Sequence, residues 1–161
     1  MNKKIIGFGE LLMWRHDCYN KKLVVTNGTF GFLHPGHVHY LKAARAMGDL
    51  LLVGLNSDSS VIQLKGKDRL LVKEEYRAMV LAELECVDAV CIFYEKRATE
   101  FLRRAKPDVW VKGGDYTRDT LDSSEVLAVG ESEIVLVPLL EGYSTTGLFK
   151  EYRQESTSSG D

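Results

Sequence analysis

Two histidines that flank a Pro-Gly pair, His34 and His37, are the residues in this chain best suited to chemistry. They follow an apolar run at residues 23–26 and a glycine-bearing loop, and they open an amphipathic helix predicted over residues 38–47. A helix N-terminus binds phosphate because its backbone N–H groups and the positive end of its dipole point at the anion. Two imidazoles three residues apart add donors there. The pattern predicts a nucleotide site at which a phosphoryl centre reacts.

Transfer at the α-phosphate of a nucleotide depends on positioning and charge neutralisation more than on covalent catalysis. His34 and His37 can face the same phosphate, Gly36 leaves room for nucleotide close to the backbone, and Lys42 could reach the β- or γ-phosphate. His39 lies off that face. A metal site built on the three histidines would lack carboxylate or thiolate partners, so we predict no metal held by protein side chains.

Composition limits the class of protein. Of 161 residues, 45% are hydrophobic and 27% charged, as in one ordinary globular domain. The formal net charge of −2 argues against a broad surface for nucleic acid or anionic membrane, and no apolar run is long enough to span a bilayer. The polar N-terminus does not resemble a signal peptide, and the odd number of cysteines predicts reduced thiols in a cytoplasmic protein.

Strand-like and helix-like segments alternate along the chain, which predicts an α/β fold. The architecture expected is a Rossmann-like, doubly wound parallel sheet of about five strands. Helical periodicity over residues 73–86 predicts that Tyr76, Met79, Val80, Leu84 and Val87 share the inward face. The boundaries predicted are an N-terminal extension at 1–22, a nucleotide-handling domain at 23–153 and a disordered tail at 154–161. Predicted strands are 23–26, 49–55, 88–93, 109–111 and 134–137, and predicted helices are 38–47, 59–65, 73–86, 99–105, 121–129 and 144–152.

Four loops follow predicted strands and carry unusual residues: 28–37, 56–58, 112–115 and 141–146. Ligands of doubly wound folds bind at the carboxyl ends of the strands, so these loops are expected to converge. The Lys-Gly-Gly-Asp loop at 112–115 is a tight turn or a phosphate or base contact. The Ser-Thr-Thr at 144–146 can cap the last helix and also contact an anion, since both use the same N–H groups.

Two sets of motifs resemble a known superfamily. Gly28-Thr29-Phe30 followed by His34-Pro35-Gly36-His37, with Ser-Thr-Thr at 144–146, resembles the cytidylyltransferase-like nucleotidyltransferases. Asn-Ser-Asp at 56–58 and Lys-Gly-Gly-Asp at 112–115 are most similar to the heptose 1-phosphate adenylyltransferase domain of ADP-heptose synthesis. The resemblance runs from about residue 23 to residue 150.

The resemblance implies a reaction in lipopolysaccharide core biosynthesis: ATP and D-glycero-β-D-manno-heptose 1-phosphate give ADP-heptose and pyrophosphate, with Mg²⁺. It also implies small-molecule substrates and a homodimer. The catalytic residues implied are His34, His37 and Lys42. The nucleotide-binding residues implied are Gly28, Thr29, Phe30, Gly36, Lys112, Gly113, Asp115, Ser144, Thr145 and Thr146. The substrate-binding residues implied are Asn56, Asp58, Lys65, Arg69 and Arg77, although Arg69 and Arg77 read equally well as solvated charges.

The chain departs from that family at several points. Gly31 stands where an acidic residue is usual, and Leu70 stands where proline is frequent. The first ~20 residues lie outside the motifs matched. Residues 5–12 look instead like the opening strand of a ribokinase-type sugar kinase, which suggests a remnant of such a domain or an added strand.

Two other functions remain open from the sequence. A cytidylyltransferase for glycerol 3-phosphate usually carries an arginine before its late Ser-Thr-Thr, and residues 139–146 contain none. A nucleotide-binding protein without catalysis would explain Gly31 and the N-terminus. The two intact histidines speak against it.

Overall fold

Apolar runs bounded by turn residues form the strands of one parallel sheet. A computed structural model describes residues 1–114, 116–138 and 140–158, except the side chains at 145, 149, 152 and 156–158. Within that part of the chain there are six strands, where the sequence predicts about five. They are β1 (Ile5–Ile6), β2 (Leu23–Gly28), β3 (Leu50–Asn56), β4 (Ala89–Phe93), β5 (Val109–Gly113) and β6 (Glu133–Val137).

The strand order is β1-β4-β3-β2-β5-β6, and all pairings are parallel. The two-residue strand β1 pairs with β4 at one edge, where Ile5 lies opposite Val90. Strand β2 lies in the interior between β3 and β5. Because every strand runs the same way, the loops predicted to carry the chemistry leave from one edge of the sheet.

Helices alternate with the strands. The last helix includes residues 154–158, so the disordered tail predicted from 154 is wrong over those five positions. Lys150, Glu151, Arg153 and Gln154 are good helix formers and extend the helix into the Ser/Thr-rich segment. The helices are α1 (Leu11–Asp17), α2 (Pro35–Arg45), α3 (Asp58–Lys65), α4 (Glu74–Glu83), α5 (Thr99–Ala105), α6 (Ser123–Val129) and α7 (Thr145–Ser158).

Each face of the sheet carries its own apolar cluster, as expected for a parallel sheet that is buried on both sides. On one face Val24 and Val111 pack with Leu41 of α2 and Leu81 of α4. On the other face Val25 and Trp110 pack with Phe101 of α5 and Val129 of α6. Side chains that alternate along β2 and β5 therefore point to different helices.

Helix α4 packs through a different face from the one predicted. Tyr76, Met79 and Val80 are 53%, 52% and 48% exposed. The small side chains of two alanines allow the helix to lie close to the sheet. The spacing of the large apolar residues does not predict this face. The buried residues of α4 are Arg77, Ala78, Leu81 and Ala82.

Residues 5–17 pack on the same sheet as the rest of the chain. Leu11 is fully buried in the cluster under α5, and Trp14 packs against that cluster. Arg15 pairs with Asp108 at 3.3 Å, just before β5. Among the described residues, no helix is long and apolar enough to cross a membrane.

Candidate active site

A cavity of about 630 Å³ opens at the carboxyl end of the sheet. All four of the loops singled out in the sequence contribute to its wall, so their predicted convergence is confirmed. The sequence-predicted site residues that line it are Gly28, Thr29, Phe30, His34, Gly36, His37, Asn56, Lys65, Lys112, Gly113, Ser144 and Thr146.

The two histidines cap the start of α2 and are oriented by its backbone. His34 is the N-cap residue in extended backbone, and its Nδ1 accepts the Gly36 N–H at 3.1 Å. Nδ1 of His37 accepts the His34 N–H at 3.2 Å, which completes a reciprocal capping arrangement. A ring that accepts at Nδ1 carries its hydrogen at Nε2 when neutral. Both imidazoles are therefore donors through Nε2, with ring centroids 3.9 Å apart.

Both histidines are held in the neutral form at neutral pH. Burial lowers the pKa of His34 below its ordinary value. Burial, helped by the charges of His34 and Lys65, lowers the pKa of His37 to about 4. A neutral imidazole still donates one hydrogen bond, so the pair can bind phosphate oxygens without first taking up protons.

We expect nucleotide binding to raise the pKa of His37. In the unliganded protein, the folded state takes up this proton only at a lower pH than the unfolded state does. The free energy of unfolding therefore falls as pH drops from 6.5 towards 4. A triphosphate beside the ring favours the imidazolium and reverses the shift. NMR titration of the His37 Cε1–H signal, with and without a non-hydrolysable ATP analogue, measures this. An unchanged midpoint would place the phosphates away from His37.

The loop before α2 supports His37. Phe30 adopts a left-handed backbone with φ of 42°, and its ring centroid lies 5.3 Å from that of His37. A side chain at Gly28 would meet the Phe30 ring, because a Cβ there would lie 3.1 Å from it. Thr29 accepts a hydrogen bond from Lys65 Nζ at 3.1 Å through its hydroxyl oxygen. The loop thus fixes one wall of the cavity.

The N-terminus of α7 lies near that of α2. Tyr143 stacks on His34, with the ring centroids 6.1 Å apart. Ser144 Oγ accepts the Gly147 N–H at 3.0 Å and caps the helix, and Thr146 Oγ1 accepts from Arg69 at 3.3 Å. Two helix N-termini therefore meet beside one cavity, and both favour an anion there.

Lys42 does not line the cavity, so the structure does not bring it together with the other predicted triphosphate contacts. It is exposed and lines a shallow depression with Leu33, Val38 and His39. Burial raises the pKa of Cys86, which precedes β4 at the amino end of the sheet, and the nearby charge of Lys42 opposes that rise. An α-helix turns about 100° per residue, so Lys42 points about 140° away from His37.

Arg77 and Asp58 face the protein rather than a ligand, which corrects their predicted role as substrate contacts. The Arg77 side chain is 2% exposed, and it donates to Asp58 at 2.9 Å. Two other donors of Arg77 go to the carbonyls of Thr29 and Asn56, each at 2.7 Å. Arg77 therefore ties the loop before α2 to the end of β3.

The remaining predicted residues divide into three groups. Asn56 is buried and donates to Ser60 Oγ at 2.9 Å, although it also reaches the cavity. Arg69 stands outside the cavity lining and bonds Thr146. Asp115 and the side chain of Thr145 lie outside the described residues.

Gly31 stands in an open position. Among the described residues, a Cβ there would come within 4 Å of one atom, the Arg69 carbonyl oxygen, at 3.8 Å. We expect Gly31→Asp to change the free energy of unfolding by no more than about 0.5 kcal/mol, as for other substitutions that create no clash. Urea unfolding of the two proteins tests this. A loss above about 2 kcal/mol would show that the loop requires glycine.

Sequence reasoning missed one side of the cavity. The loop after β4 was not among the loops singled out, although it also leaves the carboxyl edge of the sheet. The rule that places ligands at that edge could have found it. Lys96 and Arg97 come from that loop. The other lining residues outside the predicted set are Asn27, Tyr40, Leu64, Gly114, Tyr116, Thr120, Asp122, Glu125 and Pro138.

The described side chains do not fit a protein-held metal. In that part of the chain, no group of three His, Cys, Asp or Glu residues is placed to hold a metal ion. Mg²⁺ prefers octahedral oxygen ligands and is often held mainly by substrate phosphates and water. A magnesium ion here would therefore depend on the ligand for most of its coordination.

The chain is similar to known proteins over nearly its whole length. A family model described as cytidylyltransferase-like matches residues 25–159. The bifunctional protein HldE of Rhodopseudomonas palustris strain BisB5 is 47% identical over 160 residues, covering 96% of this chain and 32% of that protein. HldE of Trichlorobacter lovleyi is 42% identical over 85% of this chain and 28% of that protein. The chain thus spans about a third of these relatives.

A solved structure agrees with these relatives. The lipopolysaccharide core biosynthesis protein from Thermoplasma volcanium superposes with a TM-score of 0.64 at 28% identity, covering 75% of this chain and 99% of that one. The 96% coverage in the Rhodopseudomonas comparison reaches into residues 1–22. The sequence motifs alone left that segment outside the resemblance.

Proposed function

This chain belongs to the cytidylyltransferase-like family of nucleotidyltransferases, and we propose that it transfers the adenylyl group of ATP to D-glycero-β-D-manno-heptose 1-phosphate. The products are ADP-heptose and pyrophosphate. The observation that carries the chemistry is the His34–His37 pair, whose neutral rings donate through Nε2 beside two helix N-termini. The similarity to HldE proteins and to a lipopolysaccharide core biosynthesis protein supports the choice of acceptor.

The reaction is an in-line displacement at phosphorus. A phosphate oxygen of the sugar phosphate attacks the α-phosphorus of ATP, a new P–O bond forms, and the bond to the β-phosphate oxygen breaks. The bonding electrons leave with pyrophosphate. Negative charge builds on the non-bridging oxygens of the α-phosphate in the transition state, and donors aimed there lower the barrier. His34 and His37 are placed to supply two such donors.

Mg²⁺ is proposed to enter with the substrate. The described residues offer no protein cage for it, so the triphosphate oxygens and water would supply its ligands. Bound in this way, the ion would supply positive charge beside the pyrophosphate oxygens. The protein residues then have the separate task of holding the α-phosphate and the acceptor in line.

The proposal extends to the setting of the reaction. Cys18, Cys86 and Cys91 are all free thiols, which is consistent with a reducing cytoplasm that also supplies ATP. The homodimer that the family resemblance implies stays a prediction, and sedimentation equilibrium would test it.

Pyrophosphate release tests the function directly. The four assays combine ATP or CTP with heptose 1-phosphate or glycerol 3-phosphate, all with Mg²⁺. Release with ATP and heptose 1-phosphate alone is the expected result. Release with CTP and glycerol 3-phosphate would instead assign the chain to the glycerol enzymes. Nucleotide binding without release in any assay would identify a binding protein that lacks catalysis.

A further inference from the structure

Lys112 is a buried lysine whose ammonium group makes no hydrogen bond or ion pair within the described part of the chain. Its side chain lines the cavity, and the residue is 8% exposed. Nζ lies 4.8 Å from the ring centroid of Tyr116 and 6.0 Å from that of Trp110. The favourable interactions of its ammonium with described residues are these two ring contacts and the attraction of the Glu125 charge. A buried ammonium in this state is costly unless a ligand supplies the missing acceptor.

Lys112 approaches the cavity from the opposite face of the sheet to the histidines. Side chains alternate along β5, so Lys112 points the same way as Trp110, towards α5 and α6. The next residue, Gly113, faces Tyr40 of α2, since a Cβ there would lie 2.9 Å from that ring. The histidines belong to α2. The cavity therefore has two halves, one on each side of the sheet edge.

The half around Lys112 carries carboxylates as well as cations. Glu125 is 6% exposed, and its Oε1 accepts the Ala98 N–H at 2.9 Å. Asp122 caps α6 through Oδ1, and its Oδ2 lies 3.6 Å from Arg97 Nε. Burial lowers the pKa of Lys112, and the Glu125 charge opposes that shift. Asp122 and Glu125 both line the cavity beside Lys112.

Such a set of groups suits a phosphorylated sugar. Carboxylate oxygens accept hydrogen bonds from sugar hydroxyls, and an unpaired ammonium binds a phosphate. The aromatic ring of Tyr116 offers an apolar surface beside the ammonium. The triphosphate, in contrast, has its donors on the other side, at the N-termini of α2 and α7.

We propose that Lys112, Tyr116, Asp122 and Glu125 form an acceptor subsite that holds the sugar 1-phosphate, with Lys112 on its phosphate. The inference rests on the proposed function and deepens it. It moves Lys112 from the nucleotide to the acceptor, and it replaces Asp58 and Arg77 as sugar contacts. The acceptor phosphate would then approach the α-phosphorus from the side opposite the departing pyrophosphate, as an in-line attack requires.

The test is the Lys112→Met variant, assayed for the KM of each substrate separately. We expect the KM for heptose 1-phosphate to rise roughly 30-fold, the usual effect of losing a hydrogen bond to a charged group, while the KM for ATP stays within about threefold. Glu125→Gln keeps the acceptor for Ala98 and should raise the same KM about tenfold. Lys22→Met, which removes the same charge at the amino end of β2, is the matched control.

A second measurement does not depend on turnover. Removing a buried cation that forms no ion pair with the described residues should leave the unliganded Lys112→Met protein at least as thermally stable as the wild type. Calorimetric binding of heptose 1-phosphate to each protein, without ATP, then reports on the subsite itself. A rise in the KM for ATP with an unchanged KM for the sugar phosphate would overturn the assignment.

The calorimetry also separates the two proposals. Binding of heptose 1-phosphate that is lost in Lys112→Met, without turnover in the wild type, would refute the proposed reaction and keep the subsite. Turnover in the wild type with unchanged acceptor binding in Lys112→Met would refute the subsite alone. No binding of heptose 1-phosphate to the wild type would refute both.

Discussion

Replacing His37 by alanine is expected to lower kcat by at least about 100-fold, the usual cost of removing one transition-state donor. His37 is held in place by two contacts, because Phe30 packs on its ring and the His34 N–H bonds its Nδ1. Its Nε2 hydrogen is therefore fixed in direction before substrate binds. Pyrophosphate release under saturating ATP and sugar phosphate measures the effect.

The stability of His37→Ala should change little. The variant loses one capping hydrogen bond, which is worth about 1 kcal/mol. His39→Ala is the matched control, because His39 lies on the same helix but outside the cavity. It should keep the wild-type rate. A His37→Ala protein that retains more than about a tenth of wild-type activity would contradict the transition-state role.

The sheet and the position of the cavity could be predicted from the sequence because both depend on simple patterns. Continuous apolar runs bounded by turn residues marked β3 and the other central strands. A parallel strand that is buried on both faces is apolar at nearly every position, so it stands out in the sequence. The His34–His37 spacing at a strand-helix junction pointed to the residues that line the cavity. Both signals come from residues that are close together in the sequence, so they do not depend on distant packing partners.

Direction of side chains could not be predicted in the same way. The position of Lys42 along the helix predicts that it reaches the site, but the turn of α2 carries its side chain to a face outside the cavity. On α4 the large apolar residues predict one buried face, whereas the helix packs on the sheet through Ala78 and Ala82, which fit there because they are small. Lys112 faces α6 because it lies two residues after Trp110 in β5, on the same side of the sheet. These features depend on packing partners that are far away in sequence.

Arg77→Met is expected to cost about 3–5 kcal/mol in the free energy of unfolding, the usual effect of removing one partner of a buried ion pair. The guanidinium donates to four acceptors: Asp58 Oδ1 and the carbonyls of Thr29, Asn56 and Val72. Methionine fills the volume but leaves those acceptors without these donors. Urea unfolding measures the loss.

The pairing with Asp58 offers a matched control. Lys73 also approaches Asp58, at 3.7 Å, but its side chain is 67% exposed. Lys73→Met should cost at most about 0.5–1 kcal/mol, as for other solvated ion pairs. If Arg77→Met were no more costly than Lys73→Met, the buried network would not stabilise the fold.

Arg77→Lys distinguishes charge from shape. A lysine keeps the positive charge, but its compact ammonium cannot span acceptors that the planar guanidinium reaches from three nitrogen atoms. We therefore expect this variant to lose most of the stability lost by Arg77→Met. Because the Thr29 carbonyl is one of the four acceptors, the loop that supports His37 should also loosen. Folded Arg77→Lys should then show a lower kcat, even though Arg77 itself lies outside the cavity lining.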